Sequence, residues 1–337
     1  MGHATRCIPI IEALIEADFC PVIASDGNAL KLLQKEFPTL KSYTLPSYNI
    51  KYTKSGKNLM FKLLLSVPSI YTSVKEEQKI VDDLIKKENL EGIISDNRFG
   101  VFSKKTPSVY ISHQINVLSG ITTFFTSKLH QRIIKKFDEC WVPDNKDLET
   151  YSGKLGHPIH SNLKLKYLGI LSRLKRRKLH KKNDLMVLLS GPEPQRSILE
   201  RKLLMELRKY EGSVLFVRGI ISEQDIIKAP SNFKIVNYLL SNELETTINE
   251  SDLIVSRSGY TSIMDMAILG KKAFFIPTPG QFEQEYLAKY LNDKKIAPFS
   301  TQDNFTVDQL KKLKNYSGFN TSESKFDLNL FSLFNGE

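Results

Sequence analysis

From Ser251 to Leu291 the chain reads SDLIVSRSGYTSIMDMAILGKKAFFIPTPGQFEQEYLAKYL, and its apolar positions change period twice. A short apolar run, Leu253 to Val255, meets Ser258-Gly259, a helical period follows, and a second apolar run spans Ala273 to Ile276 before Pro277, Pro279 and Gly280. This pattern predicts strand, loop, helix, strand, loop, helix, which is a parallel α/β unit. The rest of the chain follows the same grammar. Ile8, Ile11, Leu14 and Ile15 recur at helical spacing, Cys20 to Ser25 reads as a strand, Ala29 to Phe37 as a helix and Ser42 to Leu45 as a strand. Asn58 to Lys87 is mostly helical with an interruption expected at Pro68. Gly92 to Asp96 and Ser108 to Ser112 are two further strands, Phe124 to Phe137 is a helix with basic Lys128, Arg132, Lys135 and Lys136, and Cys140 to Val142 closes the domain. Asp184 to Gly191, Ser213 to Gly219 and Phe233 to Tyr238 are strands of a second region, and Ser300 to Asn315 ends in a helix.

The resulting fold class is α/β with two Rossmann-like domains, which 337 residues are long enough to support with two cores. The expected boundaries are residues 1–165 for the first domain, 166–183 for a linker rich in Lys and Arg, 184–315 for the second domain and 316–337 for a tail. In a doubly wound sheet the strand before the first glycine turn is central. Only Met1-Gly2 precedes His3, so the first strand of the N-terminal sheet is expected to be missing, with an interrupted rung between the strands at Val22 and Ile93.

Composition narrows the partners. A net charge of +11 points to an anionic partner: a nucleoside diphosphate, an anionic lipid surface or nucleic acid. No apolar run approaches the ~20 residues that span a bilayer, and the start lacks the basic and small-residue features of a signal peptide, so a cytoplasmic location is expected. Cys7, Cys20 and Cys140 are an odd, widely spaced set, read as reduced core thiols rather than disulfide or metal ligands. His157 and His160 have no third ligand near them in sequence, so no metal is expected.

Ligands of open α/β sheets bind at the C-terminal ends of the strands, where helices point their first N–H groups outward. Ser256-Arg257-Ser258-Gly259 is therefore a candidate anion cradle. Asp265, six residues beyond Gly259, can accept hydrogen bonds from a pair of sugar hydroxyls, and the Gln284 amide can donate and accept toward others. Together they suggest a nucleotide-sugar pocket. Asp96 and His113 are polar residues at the ends of two N-terminal strands, and His3 opens the first helix. Tyr48, Tyr52 and the residues from Leu59 to Leu65, interleaved with lysines, form a candidate membrane patch, although a core stripe with solvated lysines is the commoner meaning of such a pattern.

Arg257-Ser258-Gly259, Asp265, Pro277 and Gln284-Glu285-Tyr286-Leu287-Ala288 resemble the C-terminal domain of GT-B glycosyltransferases, closest to the N-acetylglucosaminyltransferase of peptidoglycan lipid II and the diacylglycerol galactosyltransferases. The resemblance extends more loosely over nearly the whole chain. It implies two domains facing a cleft, with Asp265 at the donor ribose and Gln284 at the donor sugar. It also implies Arg173, Ser190, Gly191, Ser258 and Gly259 at the diphosphate and the Leu239 backbone at the base. The Gly2-His3 turn and the segment from His113 to Asn116 resemble acceptor-side motifs, with His3, Asp96 and His113 as competing bases. Two departures stand out: Asp265 replaces a common Glu and Leu287 a common Asn. The implied activity is inverting, metal-independent and cofactor-free transfer of a hexose from a UDP-linked donor to a hydroxyl, on an acceptor that could be a membrane lipid at the inner face of the membrane. A nucleotide-sugar 2-epimerase and a non-catalytic sugar-nucleotide-binding subunit are the alternatives. Nucleic acid is not an expected partner, and the oligomeric state is left open.

Overall fold

The computed structural model describes residues 2–48, 59–147, 149–220, 229–320 and 328–334, with side chains at 59–68, 121 and 328 left aside. The chain divides into two compact units, the first reaching Leu171 and taking in the C-terminal segment Leu328–Phe334, the second beginning at Ser172. Lys166 to Leu171, expected in the linker, thus belong to the first unit, and the end of the tail returns to it.

The first unit begins with α1 (Gly2–Glu16), β1 (Ile23–Ser25), α2 (Gly27–Glu36), β2 (Ser42–Thr44) and α3 (Leu59–Glu88). It continues with β3 (Ile93–Asp96), β4 (Ser108–Ile111), α4 (Thr123–Ile134), β5 (Glu139–Val142) and β6 (Leu165–Tyr167). Pro68 does not interrupt α3, which runs through it for 30 residues; a proline removes one backbone donor, and the flanking turns on either side carry the helix across. The edge strand β6 was hidden in the linker reading, because Leu165-Lys166-Tyr167 is too short a stretch of alternation to stand out.

All strand pairs in this unit are parallel. β3, β4, β5 and β6 form one sheet in that order, while β1 and β2 form a separate pair. The expected interruption between the strands at Val22 and Ile93 is therefore present. Ala24 of β1 still packs into one apolar cluster with Leu45, Val81, Ile93 and Val101, so side chains fill where the backbone ladder stops. Ion pairs reinforce the same place. Arg98, just past β3, donates to Asp26 beyond β1 (2.7 Å), to the Pro46 carbonyl beyond β2 and to Glu77 of α3 (2.6 Å). Glu77 is wholly buried. Phe331 and Phe334 pack against Phe19 and Trp141, with Trp141 ring centroids 6.0 and 6.2 Å away, and a Cβ at Gly92 would overlap the Phe334 ring.

The second unit comprises β7 (Asn183–Leu188), α5 (Gln195–Glu206), β8 (Val214–Val217), β9 (Phe233–Val236), α6 (Ser241–Asn249), β10 (Ser251–Ser256), α7 (Tyr260–Leu269), β11 (Lys272–Phe275) and α8 (Phe282–Asp293). Its parallel sheet has the order β11-β10-β7-β8-β9. The chain winds outward from β7 through β8 and β9, then crosses back to place β10 on the other side of β7. That reversal makes the boundary between β7 and β10 the topological switch point, where the loops leaving two adjacent strands diverge and open a crevice. Leu185, Val187, Val214, Phe216, Val255 and Phe274 form the middle of its core.

If the Arg98 to Glu77 pair bridges the sheet interruption, Arg98→Met should destabilise the protein by about 3–5 kcal/mol by leaving a buried carboxylate unpaired. In urea unfolding, adding Glu77→Gln to that variant should recover a large part of the loss; equal losses in the single and double variants would mean that the pair contributes nothing specific.

Candidate functional site

In the second unit the candidate residues gather at the switch point. Ser190 and Gly191 follow β7, and Arg257, Ser258 and Gly259 follow β10. Gly191 adopts φ +108°, a conformation that disfavours side chains, and a Cβ there would meet nothing within 4 Å. Gly259, the N-cap of α7, likewise faces open space. Bare backbone beside empty volume, at the positive end of a helix whose cap has no side chain, is the local geometry that receives phosphate.

Arg257 does not line that space. Its side chain is 1% exposed and donates to the carbonyls of Ile276 (3.1 Å), Pro277 (3.0 Å) and Gln195 (2.9 Å) and to Gln302 Oε1 (2.7 Å). It ties the ends of β10 and β11 to the start of α5, and burial pulls its pKa down to about 10. The Ser258 hydroxyl is also turned inward, donating to the Gln284 carbonyl at 2.8 Å. The cradle expected from Ser256 to Gly259 is therefore a backbone feature, held in shape by the two side chains that had looked like ligands.

Asp265 lies on α7, one and a half turns from its start. Its Oδ1 accepts from the Ser172 hydroxyl at 2.6 Å. Burial raises its pKa to about 6, against the opposing pull of the Ser172 hydrogen bond and the Arg173 charge. Ser172 and Arg173, the first residues of this unit, are thereby drawn to the helix that carries the carboxylate. Ser172 was missed in the sequence, although its place beside Arg173 is a clue in retrospect. Gln284 on α8 has its Oε1 engaged by the Thr278 N–H at 2.8 Å, which fixes the amide and leaves its NH₂ without a partner among the described residues. Leu239 is half-buried in the loop between β9 and α6.

In the first unit, His3, Asp96 and His113 form one cluster, joined by Arg6, which sequence reasoning overlooked although it stands one helical turn from His3. Asp96 ends β3 and accepts from Arg6 Nε (2.7 Å), Arg6 Nη2 and the Cys7 thiol (3.3 Å), while His3 Nδ1 stands between Asp96 Oδ1 (3.1 Å) and Arg6 Nη2 (2.8 Å). Arg6 Nη1 also donates to His113 Nδ1 at 3.0 Å. Burial alone would raise the Asp96 pKa, but the charges of Arg6 and then His3, with their hydrogen bonds, hold it well below the usual carboxylate range. Asp96 and His113 are buried, whereas the His3 side chain is 54% exposed. Of the three competing bases, only His3 combines an orienting carboxylate with access to solvent. Of the three cysteines, all free, Cys140 is buried, Cys7 half-buried and Cys20 exposed, so the core-thiol reading fails for Cys20. Among the described residues, no three His, Cys, Asp or Glu side chains group as a metal site.

Residues 196–318 match the model of the glycosyltransferase family 28 C-terminal domain. A relative from Buchnera aphidicola subsp. Schizaphis graminum, the UDP-N-acetylglucosamine--N-acetylmuramyl-(pentapeptide) pyrophosphoryl-undecaprenol N-acetylglucosamine transferase, is 26% identical over 298 residues, covering 82% of this chain and 78% of its own. Among solved structures, the glycotransferase of kitacinnamycin superposes with a TM-score of 0.64 at 11% identity, covering 99% of this chain and 90% of its own. MurG of Acinetobacter baumannii gives 0.56 at 13%, covering 93% and 86%. At such identities the superpositions establish the fold alone.

The Asp96 cluster makes an acid-stability prediction. A depressed carboxylate pKa contributes stability above the unfolded value of ~3.9 and loses it as pH falls toward the folded value. Asp96→Ala should cost about 3–5 kcal/mol at neutral pH, because it leaves Arg6 buried without a counter-charge. Its gap from the wild type in urea unfolding should shrink below about pH 4; a gap independent of pH would show that the charge of Asp96 is not what stabilises the cluster.

Proposed function

From a glycosyltransferase of GT-B fold, with a family 28 C-terminal domain over residues 196–318, we infer an enzyme that moves a hexose from a UDP-linked donor to a hydroxyl of a lipid-linked acceptor. The observation that carries this reading is the second unit's switch point. Two glycines there present bare backbone to open space, flanked by a carboxylate and an amide suited to sugar hydroxyls.

In this reading the diphosphate rests against the backbone at Gly191 and Gly259 and the Ser190 loop, with the dipole of α7 and the Arg173 guanidinium opposing its charge. Asp265 accepts from the ribose hydroxyls through the carboxylate oxygen that Ser172 leaves open, the Gln284 NH₂ donates to the sugar, and the Leu239 backbone borders the base. In the first unit, His3 takes the acceptor proton. Asp96 orients its ring and stabilises the imidazolium that forms, while Arg6 holds Asp96 ionised. Attack by the deprotonated hydroxyl from the face opposite the leaving diphosphate inverts the anomeric centre. The cations and helix starts provide the charge that leaving-group departure requires without a metal ion. The N-acetylglucosaminyltransferase relative motivates the lipid-linked acceptor.

The direct test is radiolabelled transfer by the full chain, using a panel of UDP-hexoses with lipid-linked saccharide acceptors. Tight donor binding without transfer or hydrolysis would instead identify a binding subunit.

Donor affinity should depend on pH through Asp265. The ionised carboxylate is the form that accepts from two hydroxyls, so the affinity for a UDP-sugar should rise through about pH 6 and level off above it. The sign is opposite for the unliganded fold: a raised carboxylate pKa contributes stability below the unfolded value of ~3.9 that is lost as pH rises through about 6. Asp265→Asn should abolish the pH dependence of binding and weaken it by about 1–3 kcal/mol at pH 8. Calorimetry showing unchanged affinity would remove Asp265 from the donor site.

His3→Ala should lower the transfer rate by about 10²–10⁴-fold with donor affinity retained. If His3→Ala keeps most of its rate while His113→Ala loses it, the base is His113.

A further inference from the structure

We propose that Ser172 is a positioning residue for the donor, whose hydroxyl holds Asp265 turned and charged for the ribose of a UDP-sugar. The inference rests on the proposed function and adds to it a residue that acts through Asp265. That carboxylate needs a partner from elsewhere, because α7 cannot supply one. Tyr260–Leu269 contains no Lys or Arg, and the positions three and four residues away on either side are Thr261, Ser262, Ile268 and Leu269. Met264 and Met266 beside it are fully buried. A carboxyl group in such a setting favours its neutral form unless a donor meets it.

Ser172 is that donor, and its geometry is fixed from both sides. Its Oγ donates to Asp265 Oδ1 at 2.6 Å and accepts from the Leu174 N–H at 3.0 Å. The second bond occupies a lone pair of the hydroxyl and leaves its proton for the carboxylate. The backbone behind it is fastened as a strand would be. Leu174 is buried, the Lys175 N–H donates to Glu245 Oε2 (2.7 Å), and the Arg177 N–H donates to Asn249 Oδ1 (3.0 Å). The Asn249 amide returns a bond to the Lys175 carbonyl at 2.9 Å. Glu245 and Asn249 are themselves buried on α6, so two side chains of one helix stand in for a neighbouring strand. The start of the basic segment is framework of the second unit, and Ser172 presents its hydroxyl in one place.

The donor site gains orientation and charge from this bond. With Oδ1 engaged by Ser172, the carboxylate has a fixed rotation and Oδ2 is the oxygen offered to the ribose. Burial pushes the Asp265 pKa up to about 6, while the Ser172 bond and then Arg173, the one charge acting on it among the described residues, pull the other way. Without the hydroxyl, burial would be opposed by Arg173 alone. An ionised carboxylate only accepts, which is what two ribose hydroxyls require, whereas a protonated one carries a hydrogen on one oxygen. Ser172 thereby extends the pH range over which the donor is held.

The test is calorimetric titration of the full chain with UDP-glucose, UDP-galactose and UDP-N-acetylglucosamine, from about pH 5 to about pH 8.5. The diphosphate of each is a diester with no proton to lose in that range, so the protein sets the pH dependence. Ser172→Ala should move the midpoint of the affinity curve up by about one pH unit, a loss approaching tenfold well below the midpoint and small at about pH 8.5. Ser172→Thr, which keeps the hydroxyl, should restore the wild-type curve. In an Asp265→Asn background, Ser172→Ala should no longer produce a pH-dependent loss. A Ser172→Ala curve that overlays the wild type, or that is lowered equally at every pH, would overturn the role of Ser172 and leave the donor site standing. A wild type that binds none of the three sugar nucleotides would overturn the proposed function, and this role with it.

Discussion

Asp96 and Arg98, two residues apart at the end of one strand, hold together a first unit whose backbone ladder is broken. β1 and β2 do not pair with β3, so the hydrogen bonds that would normally transmit register across a sheet stop there. Asp96 reaches α1 through Arg6, His3 and Cys7, and Arg98 reaches the ends of β1 and β2 and the buried Glu77 of α3. Charged hydrogen bonds in a low-dielectric setting are directional and strong when fully matched. The end of β3 and the turn after it, which carry these two residues, thus become the reference to which the N-terminal elements are fixed, and the imidazole of His3 is fixed with them.

The second unit solves the equivalent problem with an intact sheet and one buried cation. Arg257 bonds only to neutral oxygens from three segments, the ends of β10 and β11 and the start of α5, together with Gln302. Among the described residues no carboxylate contacts it, in a crevice where two helices begin. Such a cation sets a positive potential around the backbone of Gly259 without occupying the space beside it. Shape and field are supplied by groups that need not touch an anion, and the exposed surface is left to backbone.

Much of this was legible in the sequence because period reports burial. The change from strand to helical spacing around Leu253, Ser258 and Ala273 located β10, α7 and β11, and the strand ends located Asp96, His113, Ser190 and Gly259. Side-chain direction was not legible. Arg257 and Ser258 sit in a motif that invites a ligand, yet both turn inward, because in a tight turn after a buried strand one side of the backbone must face the core. Arg6 was missed for the opposite reason: a cation within an apolar helix reads as surface until its partner 90 residues away is known. The switch point required the strand order, which no local pattern encodes. The basic and aromatic patch from Tyr52 to Leu65 lies outside the described residues and side chains.

Leu328–Phe334 closes the first unit from the far end of the chain, against Phe19 and Trp141. The second unit is consequently an insertion within the first. During synthesis on a ribosome, the N-terminal half would emerge and wait, with an aromatic surface uncovered, until nearly all of the other half had followed. Domains that form in order of their emergence escape this interval. Here the domain begun first is completed last, so a premature stop near the end would damage the unit that had been translated longest.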